Sequence, residues 1–295
     1  MDHQSQMFGG SWTEKKLTIL GGYFDAYTQA LKNKPFELVY LDAFAGTGYR
    51  RATEAEADAL PLFPELADEE AQEFMDGSAR ISLQIRRPFD RYVFVERSGG
   101  KAKQLEDLKI EFPDIAHRIN VVSEDCNAYI QQECGKRQQT RRRMVLFLDP
   151  FGMQVEWDTM QAIASTSTID AWVLFPVSAV NRLLQRDASI PDGWSHRLNT
   201  LFGTTAWYDA FYREQTAGNL FGTETHRVCK CCSMADISKF YEDRLQNRFA
   251  QVASNPKWLR NKRTPLFVLF FAMTNPSPKA QRLALRIAGH LLEAD

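Results

Sequence analysis

Acidic residues follow four short apolar stretches of this sequence, and together they indicate a ligand site. The acids are Asp42, Glu96, Asp125 and Asp149, and the stretches before them are residues 36–41, 92–95, 119–122 and 144–148. Each stretch suits a buried strand. Because the carboxyl ends of parallel strands meet at one edge of a sheet, we expect the four carboxylates to line that edge.

A glycine-containing loop follows the first of these stretches. Residues 42–48 read Asp-Ala-Phe-Ala-Gly-Thr-Gly, and glycine after a strand lets the backbone approach a ligand closely. No Gly-Lys-Ser/Thr follows, which excludes a nucleotide-hydrolase loop, and arginine at position 51 removes the third glycine of a dehydrogenase fingerprint. The loop therefore favours S-adenosylmethionine (SAM) over ATP or NAD, with a plain tight turn as the alternative. The expected cofactor contacts here are Asp42, Phe44, Ala45, Gly46 and Gly48.

Glu96 and Asp125 are candidates for binding the adenosyl part of the same cofactor. Glu96 ends the second predicted strand, where a carboxylate accepts hydrogen bonds from both ribose hydroxyls. Asp125 ends the third, where its carboxylate can accept from the adenine amino group. A surface carboxylate is the alternative for each.

The segment Asp149-Pro150-Phe151-Gly152 follows the fourth apolar stretch. It resembles the Asp-Pro-Pro-Tyr/Phe signature of amino-methyltransferases that act on nucleobases. In that signature the carboxylate and the prolyl carbonyl accept hydrogens from an exocyclic amine, while the aromatic ring stacks on a flipped base. Asp149, Pro150, Phe151 and Gly152 are therefore the candidate catalytic residues. A Pro-Gly turn with a buried phenylalanine is the alternative.

Three basic groups are candidates for phosphate contacts, although a formal net charge of −1 argues against broad electrostatic capture of nucleic acid. The groups are Lys136, Arg137 and Arg141–Arg143; Arg86, Arg87 and Arg91; and Lys257, Arg260, Lys262 and Arg263. Arg141, Arg142 and Arg143 are the candidates for binding nucleic acid. A solvated loop is the alternative.

Cysteines 229, 231 and 232 form a tight cluster. It lacks the two-residue spacer and the second ligand pair of familiar zinc modules. We therefore expect free thiols and no metal site, with metal binding by this cluster as the alternative.

The elements that position these residues follow from the hydrophobic pattern. Apolar residues at three- and four-residue steps over 12–31 predict an amphipathic helix, and helical patterns separate the predicted strands. A fifth strand is predicted at 171–177 and a final strand at 267–273. The predicted fold class is α/β, a Rossmann-like doubly wound, mostly parallel sheet of the class I methyltransferase type with an inserted helical cap.

The chain of 295 residues suits one large domain with insertions. Residues 1–177 are predicted to form an N-terminal helix and the SAM-binding core, with an acidic insertion at about 49–77; residues 178–255 form the helical cap, and 256–295 complete the core. The apolar runs fall short of the roughly 20 residues that a membrane span requires. Residues 1–10 do not resemble a secretory signal, so we expect a cytoplasmic protein.

The motifs, taken in their order and spacing, resemble the three-Cys-motif partner proteins, known as TcmP. The resemblance covers nearly the whole chain and rests on these segments: the helix from Lys16 to Tyr27, the loop at 42–48, Gly77-Ser78, residues 94–97, Asp125-Cys126-Asn127, residues 148–152 and the strand at 266–275. It implies a methyltransferase fold with SAM as cofactor and Cys126 beside that cofactor. It also implies a separate partner, a radical-SAM-like protein that carries the three-Cys motif.

Three hypotheses about function follow. The leading one is a SAM-dependent methyltransferase that methylates an amino nitrogen of a nucleobase or modified nucleotide, in DNA or RNA. The alternative is a non-catalytic, methyltransferase-like regulatory subunit of the three-Cys-motif protein. The third is a nucleic-acid-binding defence component, in which the basic groups matter more than the acids.

Overall fold

A computed structural model describes residues 11–45, 77–136, 141–150, 152–218, 224–261 and 264–294. Its strands, in chain order, are β1 (Glu37–Asp42), β2 (Arg91–Val95), β3 (Ile119–Val122), β4 (Arg142–Leu148), β5 (Ile169–Phe175), β6 (Tyr212–Gly218), β7 (Glu224–Lys230), β8 (Gln251–Val252), β9 (Lys257–Asn261) and β10 (Thr264–Met273). Within the described residues, eight of these strands form one sheet in the order β3-β2-β1-β4-β5-β10-β8, with β9 also paired to β10.

Helices alternate with the first five strands. The labelled helices, in chain order, are α1 (Ser11–Leu31), α2 (Gly99–Glu111), α3 (Cys126–Gly135), α4 (Trp157–Ala164), α5 (Val177–Leu183), α6 (Asp192–Phe202), α7 (Trp207–Phe211), α8 (Met234–Gln246) and α9 (Pro278–Glu293). A helical segment also spans residues 77–83, and a short 3₁₀ helix spans Pro113–Arg118.

Strands β1 to β5 pair in parallel, and β10 enters the sheet antiparallel to β5. The predicted fold class is therefore confirmed as a mixed α/β architecture with a mostly parallel, doubly wound sheet. The strands read as continuous apolar runs because helices cover both faces of such a sheet. The longest run is β10, in which eight successive residues are buried.

The order of the strands places a topological switch point between β1 and β4. From β1 the chain proceeds to β2 and β3 on one side, and it then crosses back to β4 and β5 on the other. In open α/β sheets, ligands bind in the crevice at the carboxyl ends of the two strands that flank such a point.

Helix α1 packs against the sheet and against α9. Its buried residues Ile19, Leu20, Tyr23 and Phe24 follow a helical spacing, which gives the helix one apolar face. The Tyr23 hydroxyl donates to the Asp170 carboxylate of β5 at 2.7 Å, so a hydrogen bond as well as apolar contact fixes the helix on the sheet.

The segment 178–255 contains more than the expected helices. Strands β6 and β7 form an antiparallel hairpin that sequence analysis did not predict, and helix α7 ends at Phe211, directly before β6. Strand β6 reads Tyr-Arg-Glu-Gln-Thr-Ala-Gly, which lacks the alternation of apolar and polar residues that marks a half-buried strand. Backbone pairing with β7 decides its conformation instead.

The acidic insertion predicted at about 49–77 lies outside the described residues except for its last residue. In the part of the chain that the structure describes, no helix is long and apolar enough to cross a membrane.

Candidate active site

Asp42 and Asp149 lie at the carboxyl ends of the two strands that flank the switch point. Asp42 ends β1 in register with Phe147 of β4, and Asp149 directly follows β4. Asp42 is 0% exposed and Asp149 is 6% exposed. The two carboxylates therefore occupy the place where open α/β sheets bind their ligands.

Lys16 of α1 reaches the same place, and sequence analysis missed its role. Its Nζ lies 2.5 Å from Asp149 Oδ2 and 5.4 Å from the centroid of the Phe147 ring. Only 1% of the Lys16 side chain is exposed. The available signal was its position in the helix, because Lys16 lies three and seven residues before the buried Ile19 and Tyr23 and so falls within the apolar stripe.

The charges of these groups depend on one another. Burial lowers the pKa of Lys16 from its ordinary value, while the neighbouring Asp149 and Asp42 carboxylates act to raise it. Burial raises the pKa of Asp42 to about 6, against the hydrogen bond from Ser78, and the charge of Asp149 adds to the rise. The site thus combines one buried ammonium with two buried carboxylates.

The Asp42 carboxylate accepts hydrogen bonds that fix the start of the predicted cofactor loop. Ser78 Oγ donates to Asp42 Oδ2 at 2.7 Å, and the Tyr40 hydroxyl donates to the same oxygen at 3.1 Å. The backbone N–H of Phe44 donates to Asp42 Oδ1 at 3.4 Å. The carboxylate therefore ties β1, the loop and the helical segment at 77–83 together.

The described part of the loop continues between two strands. Ala45 N–H donates to the Val95 carbonyl at 3.1 Å, and Ala45 is fully buried while Phe44 is half-buried. Gly46 and Gly48 of this loop lie outside the described residues. So do four other residues that sequence analysis singled out: Phe151, Arg137, Lys262 and Arg263.

Glu96 and Asp125 lie on the same edge, and the structure gives each a local hydrogen bond. Half-buried Glu96 accepts from the Ser98 backbone N–H at 2.6 Å. Asp125 is exposed and caps α3 by accepting from the Ala128 N–H at 3.1 Å. The adjacent Cys126 is buried, and burial raises the pKa of its thiol to about 12, so the thiol is neutral at physiological pH.

The strand order sets the sequence of acids along the edge as Asp125, Glu96, Asp42 and Asp149. Neighbouring strands lie about 4.8 Å apart, so strand ends carrying these four acids span roughly 14 Å. The edge therefore carries acids at four successive strand ends, of which Asp42 is buried and bound to Ser78 and Tyr40.

Asn127 holds the chain that follows Asp149. Its Nδ2 donates to the Gln154 carbonyl at 2.8 Å. Its Oδ1 accepts from the Glu156 backbone N–H at 3.2 Å and from the Thr159 hydroxyl at 2.9 Å. Because Asn127 is buried and uses both ends of its amide, it fixes this segment against α3.

Pro150 and Gly152 are both buried beside Asp149. Gly152 has φ +74°, a conformation that L residues with a Cβ rarely adopt. The backbone at position 152 therefore favours glycine.

Arg141, Arg142 and Arg143 lie at the amino end of β4, the edge opposite the acids. Arg142 is already paired, with Nη1 2.6 Å from Glu133 Oε1 and Nε 3.2 Å from Glu37 Oε2. Their nucleic-acid role stays a prediction, and the structure separates them from the switch point.

A cavity of about 200 Å³ opens at that opposite edge. Its lining brings Arg91 of the second basic group together with Lys136 and Arg142 of the first. The two groups are distant in sequence, but parallel pairing of β2, β1 and β4 places their amino ends together.

The cysteine cluster lies at the end of the hairpin. Cys229 belongs to β7, and Cys231 N–H donates to the Phe211 carbonyl at 2.8 Å. Burial raises the pKa of Cys232 to about 11. Among the described residues, no group of three or more histidine, cysteine or acidic side chains is arranged to hold a metal ion.

Comparison with protein-family models gives no match for this chain, and comparison with curated proteins gives none. Among solved structures, protein LPL1258 of Legionella pneumophila is 14% identical, with a TM-score of 0.40 over 93% of this chain and 91% of that one. A SAM-dependent methyltransferase from Clostridium acetobutylicum is 11% identical, with a TM-score of 0.32 over 85% and 91% of the two chains. Likenesses this weak do not bear on what the chain binds or does.

Proposed function

We propose that this chain is a SAM-dependent methyltransferase that acts on an amino nitrogen of a nucleobase or modified nucleotide, in DNA or RNA. The observation that carries the proposal is the Asp149 carboxylate, held by Lys16 at the switch point and followed by Pro150. The resemblance of residues 149–152 to the amino-methyltransferase signature supports the same reaction.

The residues at the edge fit the proposed cofactor. Carboxylates at successive strand ends match the hydroxyl and amino donors of an adenosyl group, with Glu96 assigned to the ribose and Asp125 and Cys126 to the adenine. Phe44 and Ala45 belong to the loop that follows β1. When bound, SAM supplies a sulfonium methyl group for in-line attack by a nucleophile.

This chain's own residues would act mainly by positioning the nucleophile. The Asp149 carboxylate and the Pro150 carbonyl accept hydrogen bonds from the two N–H groups of an amine, which directs the nitrogen lone pair toward the cofactor. Burial of Asp149 excludes bulk water from those hydrogen bonds and so strengthens them. Stacking of the base on Phe151 stays a prediction from the sequence.

Asp149→Asn tests the reaction because it keeps the side chain's size and removes its charge. We expect transfer of labelled methyl groups to total cellular RNA or DNA to fall by about 100-fold or more at saturating SAM. Binding of S-adenosylhomocysteine, whose sulfur is neutral, should change by less than about threefold. Asp107→Asn on the exposed face of α2 is the matched control. Equal transfer by both variants contradicts the proposal.

A regulatory subunit is the second candidate, and one contact favours it. Asp149 Oδ2 is occupied by Lys16 Nζ at 2.5 Å, as it would be in a pair with a purely structural role. Such a subunit would bind the cofactor or its product and serve a radical-SAM-like three-Cys-motif protein without transferring a methyl group. Cofactor binding by the wild type without transfer to RNA or DNA, with or without that partner, would support this candidate.

We also propose the three-Cys-motif protein as partner, because the motif order resembles that of TcmP proteins, and we propose nucleic-acid modification or phage defence as the setting of the pair. Nucleic acid is a further proposed partner through Arg141, Arg142 and Arg143. Charge reversal at exposed Arg141 tests this contact, since it should weaken nucleic-acid binding and reduce its salt dependence.

A further inference from the structure

Burial makes a lysine at position 16 unfavourable for the stability of the fold. A buried ion pair adds little stability compared with apolar side chains of similar size, because both charges lose their hydration. Yet the 1%-exposed Lys16 stands on the face of α1 that otherwise packs apolar side chains on the sheet. Stability alone therefore does not account for a lysine at this position.

The described charged groups that act on Lys16 lie at the switch point. Asp149 after β4 contacts its Nζ, Asp42 at the end of β1 acts on it through space, and the Tyr40 hydroxyl of β1 donates to Asp42. Lys16 Nζ donates a hydrogen bond to Asp149 Oδ2. Within the described residues the structure gives Asp149 Oδ1 no hydrogen-bond partner, and 8% of the Asp149 side chain remains exposed.

We propose, building on the methyltransferase function above, that Lys16 is a positioning residue that holds Asp149 Oδ2 and leaves Oδ1 to the incoming amine. The amine nitrogen forms a bond to the methyl carbon while the electron pair of the carbon–sulfur bond goes to sulfur. The nitrogen then carries one extra proton, which passes to Asp149 Oδ1 and on to water.

Removing the ammonium leaves Asp149 as a buried, unpaired carboxylate. The carboxylate also loses the contact that fixes its orientation. In Lys16→Met we therefore expect methyl transfer at saturating SAM to fall by about 100-fold, whereas Lys16→Arg should restore most of it.

The relative affinity for SAM and S-adenosylhomocysteine reports the net charge of Lys16 and Asp149, because only SAM carries a positive sulfonium. Calorimetric titration between pH 7 and 9 avoids the titration of Asp42, whose pKa is about 6. In Lys16→Met we expect the preference for SAM over S-adenosylhomocysteine to exceed that of the wild type by about tenfold, because no cation balances the carboxylate. Lys15→Met, an exposed neighbour on the same helix, should behave as the wild type does.

Two further variants keep the test decisive if Lys16→Met does not fold. Lys16→Arg retains the charge and should keep the wild-type preference. Asp149→Asn leaves the ammonium unbalanced, so it should weaken SAM relative to S-adenosylhomocysteine by about tenfold. An unchanged preference in Lys16→Met, or an unchanged preference in Asp149→Asn, overturns the role of Lys16. Failure of the wild type to bind either ligand would instead remove the proposed function itself.

Discussion

Asp170 is a buried carboxylate outside the proposed site, and it makes the stability of the fold depend on pH. It is 7% exposed on β5 and accepts a hydrogen bond from Tyr23. Burial raises the pKa of Asp170 to about 6, against the Tyr23 hydrogen bond and the charge of Arg143, which lower it. The folded state then binds this proton more tightly than the unfolded state. The free energy of unfolding therefore falls as the pH rises from about 4 to about 6, and it stays lower above that range.

Asp170→Asn should remove that dependence, because asparagine does not titrate and still accepts from Tyr23. We expect the variant to gain up to about 3 kcal/mol relative to the wild type as the pH increases from 4 to 7. Urea unfolding at several pH values measures the difference. The control is Asp107→Asn at an exposed position. If both variants follow the wild type equally at every pH, Asp170 does not carry a raised pKa.

Sequence analysis could locate those residues whose position at the end of a strand determines where they lie in the fold. Asp42 and Asp149 end apolar strands, so their common edge followed from the strand pattern alone. The contacts of Lys16 with Asp149 and of Tyr23 with Asp170 join positions 133 and 147 residues apart. No local spacing encodes such contacts, because they depend on how α1 docks on the assembled sheet.

Elements were predictable to the extent that burial shaped their composition. The central strands are apolar along their length because both faces are covered, and the pattern located them. Strands β6 and β8 gave no such signal, since one is polar and the other has only two residues. Their conformation is set by pairing with a partner strand rather than by their own sequence.

Helix α6 offers a test of how an element ends. Gly203 closes it with φ +63°, and an added Cβ would lie 2.0 Å from Cδ1 of the buried Trp157. Gly203→Ala should therefore lower the free energy of unfolding by about 3 kcal/mol or more, from backbone strain together with overpacking.

Gly193 in the same helix is the matched control for that substitution. A Cβ at Gly193 meets open space, and alanine favours the helix, so Gly193→Ala should leave stability unchanged or raise it by up to about 1 kcal/mol. Chemical denaturation of the two variants compares them directly. Equal effects would mean that Trp157 does not hold the end of α6 in the way described.

At the scale of the whole molecule, the site depends on parts of the chain that are far apart in sequence. Helix α1 supplies Lys16, β1 supplies Asp42, β2 leads to Glu96 and β4 leads to Asp149. A ligand bound across these elements contacts the folded chain and finds no such surface in the unfolded one. Ligand binding should therefore stabilise the entire fold by linkage.

Thermal unfolding with candidate nucleotides tests the molecule as a unit. SAM at about 100 times its dissociation constant adds about 2.7 kcal/mol, which corresponds to a rise in Tm of about 5 °C or more for a chain of this size. ATP and NAD at the same concentration should leave Tm unchanged, because the loop after β1 lacks the sequence features that bind them. Glu96→Ala should reduce the SAM-dependent rise, since a ribose-binding carboxylate is lost, whereas Glu293→Ala at the exposed end of α9 should not. A rise of equal size with ATP would show that the acidic edge recognises nucleotides in general, and the assignment of a methyl donor would then be wrong.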